Sequence, residues 1–260
     1  MKNWSQSLMI PLALFSCVQD PVSEEQDFST HIPLEYEMVM EEFRDDSCGQ
    51  ENYCTQVRFE YPEITAGSCS PLIDSLSRAF LFVPTFGELT LGFTSTEDVA
   101  REFIGEYRRE RRDFPDMAGV FELNRQVQFQ YEGPGYSCIL MSEYVYTGGA
   151  HGNSHHQFYN IDAEKCHLLS WQDVFRSWSS DSLSQALKAS YLEQKGLDLT
   201  TDLYDAGLWV EVLEPTNNFG LLEDKVVFFY NSYEVASYAA GPVEVQLPIP
   251  ADFAQRVAFR

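Results

Sequence analysis

Gln126-Val127-Gln128-Phe129-Gln130-Tyr131, then Gly133-Pro134-Gly135, then the run from Cys138 to Tyr146: these three stretches, in this order, decide the class of fold. The first alternates polar and apolar residues with period two, the pattern of a strand with one buried face. The glycine and proline cluster makes a turn, and the second extended run returns alongside the first as a hairpin. Upstream, Leu34 to Glu41 and Gln56 to Tyr61 alternate in the same way and read as antiparallel strands. Ser70 is placed to cap a helix whose first turn holds Pro71 and whose apolar stripe is Leu72, Ile73, Leu76, Phe80 and Val83. A second helix begins near Thr96, with acidic residues in its first turn and a stripe of Val99, Phe103, Ile104 and Tyr107. Downstream, Asp181 to Lys195 is helical, with Leu183, Leu187 and Tyr191 on one side, and Val226 to Tyr230 and Val243 to Leu247 return to strands. Helices and strands come in blocks, which predicts an α+β class: antiparallel sheets with helices packed on one face. The expected organisation is two closely associated subdomains, residues 31–137 and 138–260, preceded by residues 1–16 and 17–30 of different character.

The leading segment pairs Lys2 with the apolar run Leu8 to Phe15, too short for a stable membrane span, and reads as a signal peptide over residues 1–16. Ser16 before Cys17 is the arrangement of a lipoprotein signal, which makes Cys17 the expected lipidation site; an ordinary secretory signal with an incidental cysteine is the alternative. Residues 17–30 are acidic and polar and suit a tether. The expected location is extracytoplasmic, in periplasm or at the cell surface, held to a membrane through the lipid. The net charge of -23 argues against nucleic acid as a partner, since phosphate contacts need clustered Lys and Arg. It is compatible with steering a cationic partner or with a solvated acidic surface. Arg101, Arg108, Arg109, Arg111 and Arg112 gather on the helix near Thr96, either as an anion site or as a face paired with carboxylates. Six cysteines in an oxidising compartment permit disulfides, and Cys48 with Cys54, flanking a polar turn, is the expected pair.

Tyr146-Thr147-Gly148-Gly149-Ala150-His151-Gly152 is the most unusual segment, with three glycines around a histidine at a strand end. Glycine there permits positive φ and close approach of another group. The ligand-binding candidates are therefore Tyr146, Gly148, Gly149, His151 and Gly152, with His155 and His156 just beyond; a tight bend with His151 bonded inside the fold is the alternative. The spacing of the three histidines does not favour zinc, because His151 and His155 share a face only on a helix. No cofactor is expected. The sequence contains no G-x-S-x-G, H-E-x-x-H, G-x-x-x-x-G-K-[ST] or G-x-G-x-x-G motif, so no catalytic residue is assigned.

The glycine loop, together with Phe158-Tyr159-Asn160-Ile161-Asp162 and Leu168 to Phe175, resembles the signature of the RsiV-like and PdaC-like extracytoplasmic family, a domain of unknown function. Val227 to Tyr230, Tyr233 to Ala236 and Tyr238 to Pro242 are similar to its C-terminal strand and loop. Tyr61-Pro62-Glu63-Ile64 before the Ser70 helix is similar to its N-terminal part. The resemblance implies an α+β extracytoplasmic module, which in RsiV-type members recognises lysozyme; it does not carry over signalling or deacetylation. The expected function is a non-catalytic binding module for a lysozyme-like cationic protein or for peptidoglycan. The rivals are a glycan-acting enzyme using His151 with nearby carboxylates, and a purely structural envelope lipoprotein.

Overall fold

The computed structural model describes residues 32–46, 54–86, 92–116, 119–133 and 135–258. The expected signal peptide, Cys17, the tether and Cys48 lie outside them. A six-stranded sheet is built in chain order from β1 (Glu35–Arg44), β2 (Gln56–Ala66), β3 (Glu122–Glu132), β4 (Tyr136–Tyr146), β5 (Asn153–Asp162) and the short β6 (His167–Leu168). A second sheet holds β7 (Phe219–Leu221), β8 (Lys225–Tyr230) and β9 (Val243–Pro248). The hairpin read from the central stretch is β3 and β4, paired antiparallel from Glu122↔Tyr146 to Glu132↔Ser137. The fold class is the expected α+β. One pairing differs from the antiparallel expectation, because β2 and β3 run parallel from Gln56↔Glu122. Parallel neighbours need a long crossover, and α1 (Ser70–Leu81) and α2 (Thr96–Asp113) supply it.

Both helices bury their apolar stripes on one face of the large sheet. Ile73, Leu81, Val99, Phe103 and Ile104 pack with Val57, Phe59, Leu123, Val127, Ile139 and Met141. The cap of α1 falls on Cys69 rather than on Ser70, whose hydroxyl instead donates to the Gly67 carbonyl at 2.6 Å. Cys69 is fixed there by a disulfide to Cys166 in the turn between β5 and β6. This bridge pins the start of α1 across the sheet. The arginine face of α2 is a paired surface: Arg101 meets Glu97 and Asp98, Arg108 meets Asp45 and Asp46, and Arg109 meets Glu106.

The second core lies between the small sheet and α3 (Trp171–Val174), α4 (Ser180–Gln194) and α5 (Ala251–Ala258). Leu183, Leu187, Tyr191, Val226, Phe228, Val245 and Phe253 are buried there. The expected division between residues 137 and 138 falls inside β4, which is bonded to both β3 and β5. The two cores meet farther along, where β5 faces β7 and β8. Three buried asparagines join the strands there by imitating a main-chain ladder. Asn218 accepts from Phe158 N–H and donates to the His156 carbonyl. Asn231 accepts from His156 N–H and donates to the same carbonyl. Asn160 donates to the Phe219 carbonyl and accepts from Leu221 N–H. Side-chain amides carry a donor and an acceptor at peptide spacing, so each satisfies a strand edge that water cannot reach.

Candidate functional site

The glycine loop is the connection between β4 and β5, closing on the pair Val145↔Asn153. Gly148 and Gly149 have φ of 93° and 90°, in the left-handed region where a Cβ is strained. The Tyr146 hydroxyl donates to the Gly149 carbonyl at 3.1 Å and holds the bend. Gly152 is needed for closeness rather than for its dihedral angles: a Cβ there would stand 2.5 Å from the Tyr144 ring. Its carbonyl is the anchor of the site, accepting from the Tyr238 hydroxyl at 2.7 Å and lying 3.0 Å from His151 Nδ1.

His151 is exposed, and its ring lies almost flat on Tyr238, with centroids 3.7 Å apart and planes 16° apart. With Nδ1–H directed at the Gly152 carbonyl, the neutral ring keeps Nε2 as a free acceptor. The site therefore presents a positioned imidazole from an exposed loop. Burial is the main cause that raises the Tyr144 phenol above its ordinary value, reinforced by Glu122, Tyr238 and Tyr146.

The three histidines do not converge. His155 and His156 are consecutive in β5, and strand alternation sends them to opposite faces. His155 is exposed, whereas His156 is part-buried and tilts over Phe229 at 5.2 Å. Burial holds the His156 imidazole below its usual value, helped by His155 and opposed by Glu244. Among the described residues, no group of three or more His, Cys, Asp or Glu is placed to hold a metal ion. Of the candidate residues, Tyr146, Gly148, Gly149, His151 and Gly152 form one site; His155 and His156 belong to the strand beyond it.

Tyr238 was not among the candidates, and it arrives from a three-residue 3-10 turn, Tyr238–Ala240, before β9. Its own ring stacks on Tyr233 at 5.7 Å, and Tyr233 stacks on Trp209 at 6.4 Å. No periodicity links residues 86 positions apart, so this part of the site had no signal in spacing. The structure adds a cysteine pair to the expected Cys48–Cys54, of which Cys48 lies outside the described residues. Cys69–Cys166 is bridged, and Cys54 is disulfide-bonded. Cys138 is a free thiol at 0% exposure, pushed up to about 12 by burial and therefore protonated at neutral pH.

A two-sheet α+β module with a hydrogen-bonded glycine loop is the class that this geometry defines. Residues 48–154 match the family profile described as "Deacetylase PdaC", and residues 172–250 match "Protein of unknown function (DUF3298)". The chain is 28% identical over 154 residues to the peptidoglycan-N-acetylmuramic acid deacetylase PdaC of Bacillus subtilis, a match covering 57% of this chain and 32% of that protein. The chain thus spans about a third of the length of that relative. Among solved structures, a DUF3298 family member from Bacteroides fragilis has a TM-score of 0.66 at 23% identity, covering 84% of this chain and 92% of that one. A DUF3298 family protein from Pseudomonas aeruginosa has a TM-score of 0.57 at 22% identity, covering 86% and 93%. These matches support a PdaC/DUF3298-like family, as the loop motif and its flanking segments implied.

Proposed function

We propose that this chain is a non-catalytic recognition module of the cell envelope, tethered through a lipid on Cys17, that binds peptidoglycan through the loop from Gly148 to Gly152. The observation that carries the reading is the presentation of His151: exposed, stacked on Tyr238, and tied at Nδ1 to the Gly152 carbonyl. A ring fixed in this way loses little freedom on binding, which favours recognition. The similarity to the Bacillus subtilis peptidoglycan-N-acetylmuramic acid deacetylase supports a cell-wall ligand. The described partners of His151 are Tyr238 and a main-chain carbonyl; the enzymatic rival needs a carboxylate on that ring.

One observation favours a second reading. The net charge of -23 suits a cationic protein such as a lysozyme, whose approach would be steered electrostatically. Calorimetry of the full chain with peptidoglycan fragments and with lysozyme, at two salt concentrations, separates the two. Saturable binding to the fragments that changes little with salt supports the first reading. Binding to lysozyme alone, weakened by salt, replaces it with the second, and no heat with either ligand removes both.

A further inference from the structure

His151 ends a row of four aromatic rings drawn from three distant segments: His151, Tyr238, Tyr233 and Trp209. Successive centroids are 3.7, 5.7 and 6.4 Å apart, and successive planes differ by only 16°, 29° and 21°. The two rings farthest from the loop lie open, Tyr233 at 55% exposure and Trp209 at 44%. Exposed rings are unremarkable when scattered, but contiguous ones mark a contact surface.

The polar atoms of the row are largely turned inward. The Tyr238 hydroxyl donates to the Gly152 carbonyl, and His151 Nδ1 lies against the same oxygen. The Trp209 indole N–H donates to the Glu234 carbonyl at 3.3 Å, and the Trp209 main-chain N–H donates to the Val235 carbonyl at 3.0 Å. Both bonds fasten Trp209 to the turn that carries Tyr233. What the row offers outward is ring surface and edge. Tyr233 is held in it by a φ of 73°, a left-handed conformation that a bulky residue rarely adopts. Strain of this kind, kept by the surrounding turn, is characteristic of functional positions.

We infer that the open end of this row, Tyr233 and Trp209, is a saccharide platform, on which an unbranched amino-sugar chain lays the C–H face of a pyranose ring. The chemistry fits a sugar because a pyranose has apolar faces for the rings and a polar rim for the groups beside them. His151 Nε2 supplies an acceptor at that rim for hydroxyl and amide N–H groups, while the Glu234 carboxylate is held by Asn231. His151 and Tyr238, 3.7 Å apart, cover each other's faces, so the ring surface open to a sugar is that of Tyr233 and Trp209. The assignment rests on the proposed recognition of cell-wall glycan and extends that site from the loop to Trp209.

The test titrates the full chain with N-acetylglucosamine oligomers of increasing length, following heat and tryptophan fluorescence, in the wild type and in Trp209→Ala, Tyr233→Gly and His151→Ala. Tyr233→Gly removes the ring while keeping a residue at ease with positive φ, so the turn is preserved. The expected result is affinity that rises with oligomer length, a wild-type fluorescence change, and a loss of roughly tenfold in each row variant. Oligomer binding that His151→Ala weakens but Trp209→Ala and Tyr233→Gly leave intact overturns the row and spares the loop reading. Failure of the wild type to bind either the oligomers or peptidoglycan fragments overturns both.

Discussion

Gly152 and Gly149 sit three residues apart in one loop and are glycine for different reasons, which substitution separates. An alanine Cβ at position 152 would meet the Tyr144 ring at 2.5 Å, whereas at position 149 it would meet nothing within 4 Å and suffer only from a φ of 90°. We expect Gly152→Ala to destabilise by about 1–3 kcal/mol through overpacking and Gly149→Ala by about 1 kcal/mol through backbone strain. Denaturant midpoints measure both, and a wild-type midpoint for Gly152→Ala would show that Tyr144 is not held against the loop. Arg125 makes the opposite point about reading residues by type. It occupies an inward position of β3 between Leu123 and Val127 and is only 1% exposed. Its guanidinium pairs with Glu143 at 2.7 Å and donates to the carbonyls of Leu81 and Val83, tying the end of α1 to the sheet. Removing the guanidinium leaves the part-buried Glu143 carboxylate and the Leu81 and Val83 carbonyls without it, so Arg125→Ala should cost about 3 kcal/mol. Arg125→Met, which keeps the volume, should cost less in the same unfolding assay.

At the scale of elements, the Cys69–Cys166 bridge joins α1 to the turn after β5 across a sequence separation of 97 residues. Closing a loop of that length restricts the unfolded chain and contributes about 4–5 kcal/mol in the loop-entropy account. A Cys69→Ser/Cys166→Ser double variant should lose most of that in equilibrium unfolding while leaving Cys138 buried. Strand β5 carries a pH dependence of its own. Burial lowers the His156 pKa below the usual 6.5, so the unfolded chain binds the proton first as pH falls. The contribution of His156 to stability is then complete above the unfolded value and is lost as pH falls through the folded one. Unfolding free energy should therefore decline as pH falls below about 6.5, and His156→Gln should flatten that decline. An unchanged slope in the variant would assign it to other groups.

For the whole molecule, 40 acidic against 17 basic residues leave a net charge of -23, which opposes compaction. Raising salt from low to physiological levels should raise the thermal midpoint by screening that repulsion, and a midpoint that falls or stays level would show the carboxylates to be compensated locally. The α+β class, the β3–β4 hairpin, the helices near Ser70, Thr96 and Asp181, and the positive-φ bend of the glycine loop were all legible in the chain. Each depends on periods of two or 3.6 residues, or on a run of glycines, and so on neighbours along the sequence. What they could not show depends on which distant residues meet. The parallel β2–β3 pair follows from where the two-helix crossover returns, and the Cys69–Cys166 bridge from how α1 crosses the sheet. The asparagine joints work only because β5 lies beside β7 and β8. The aromatic row needs Trp209, Tyr233 and Tyr238 brought to His151. Local pattern determined the elements and marked the loop, because secondary structure is written in short-range periodicity. The tertiary structure alone decided what the loop faces, because packing joins residues between which no period runs.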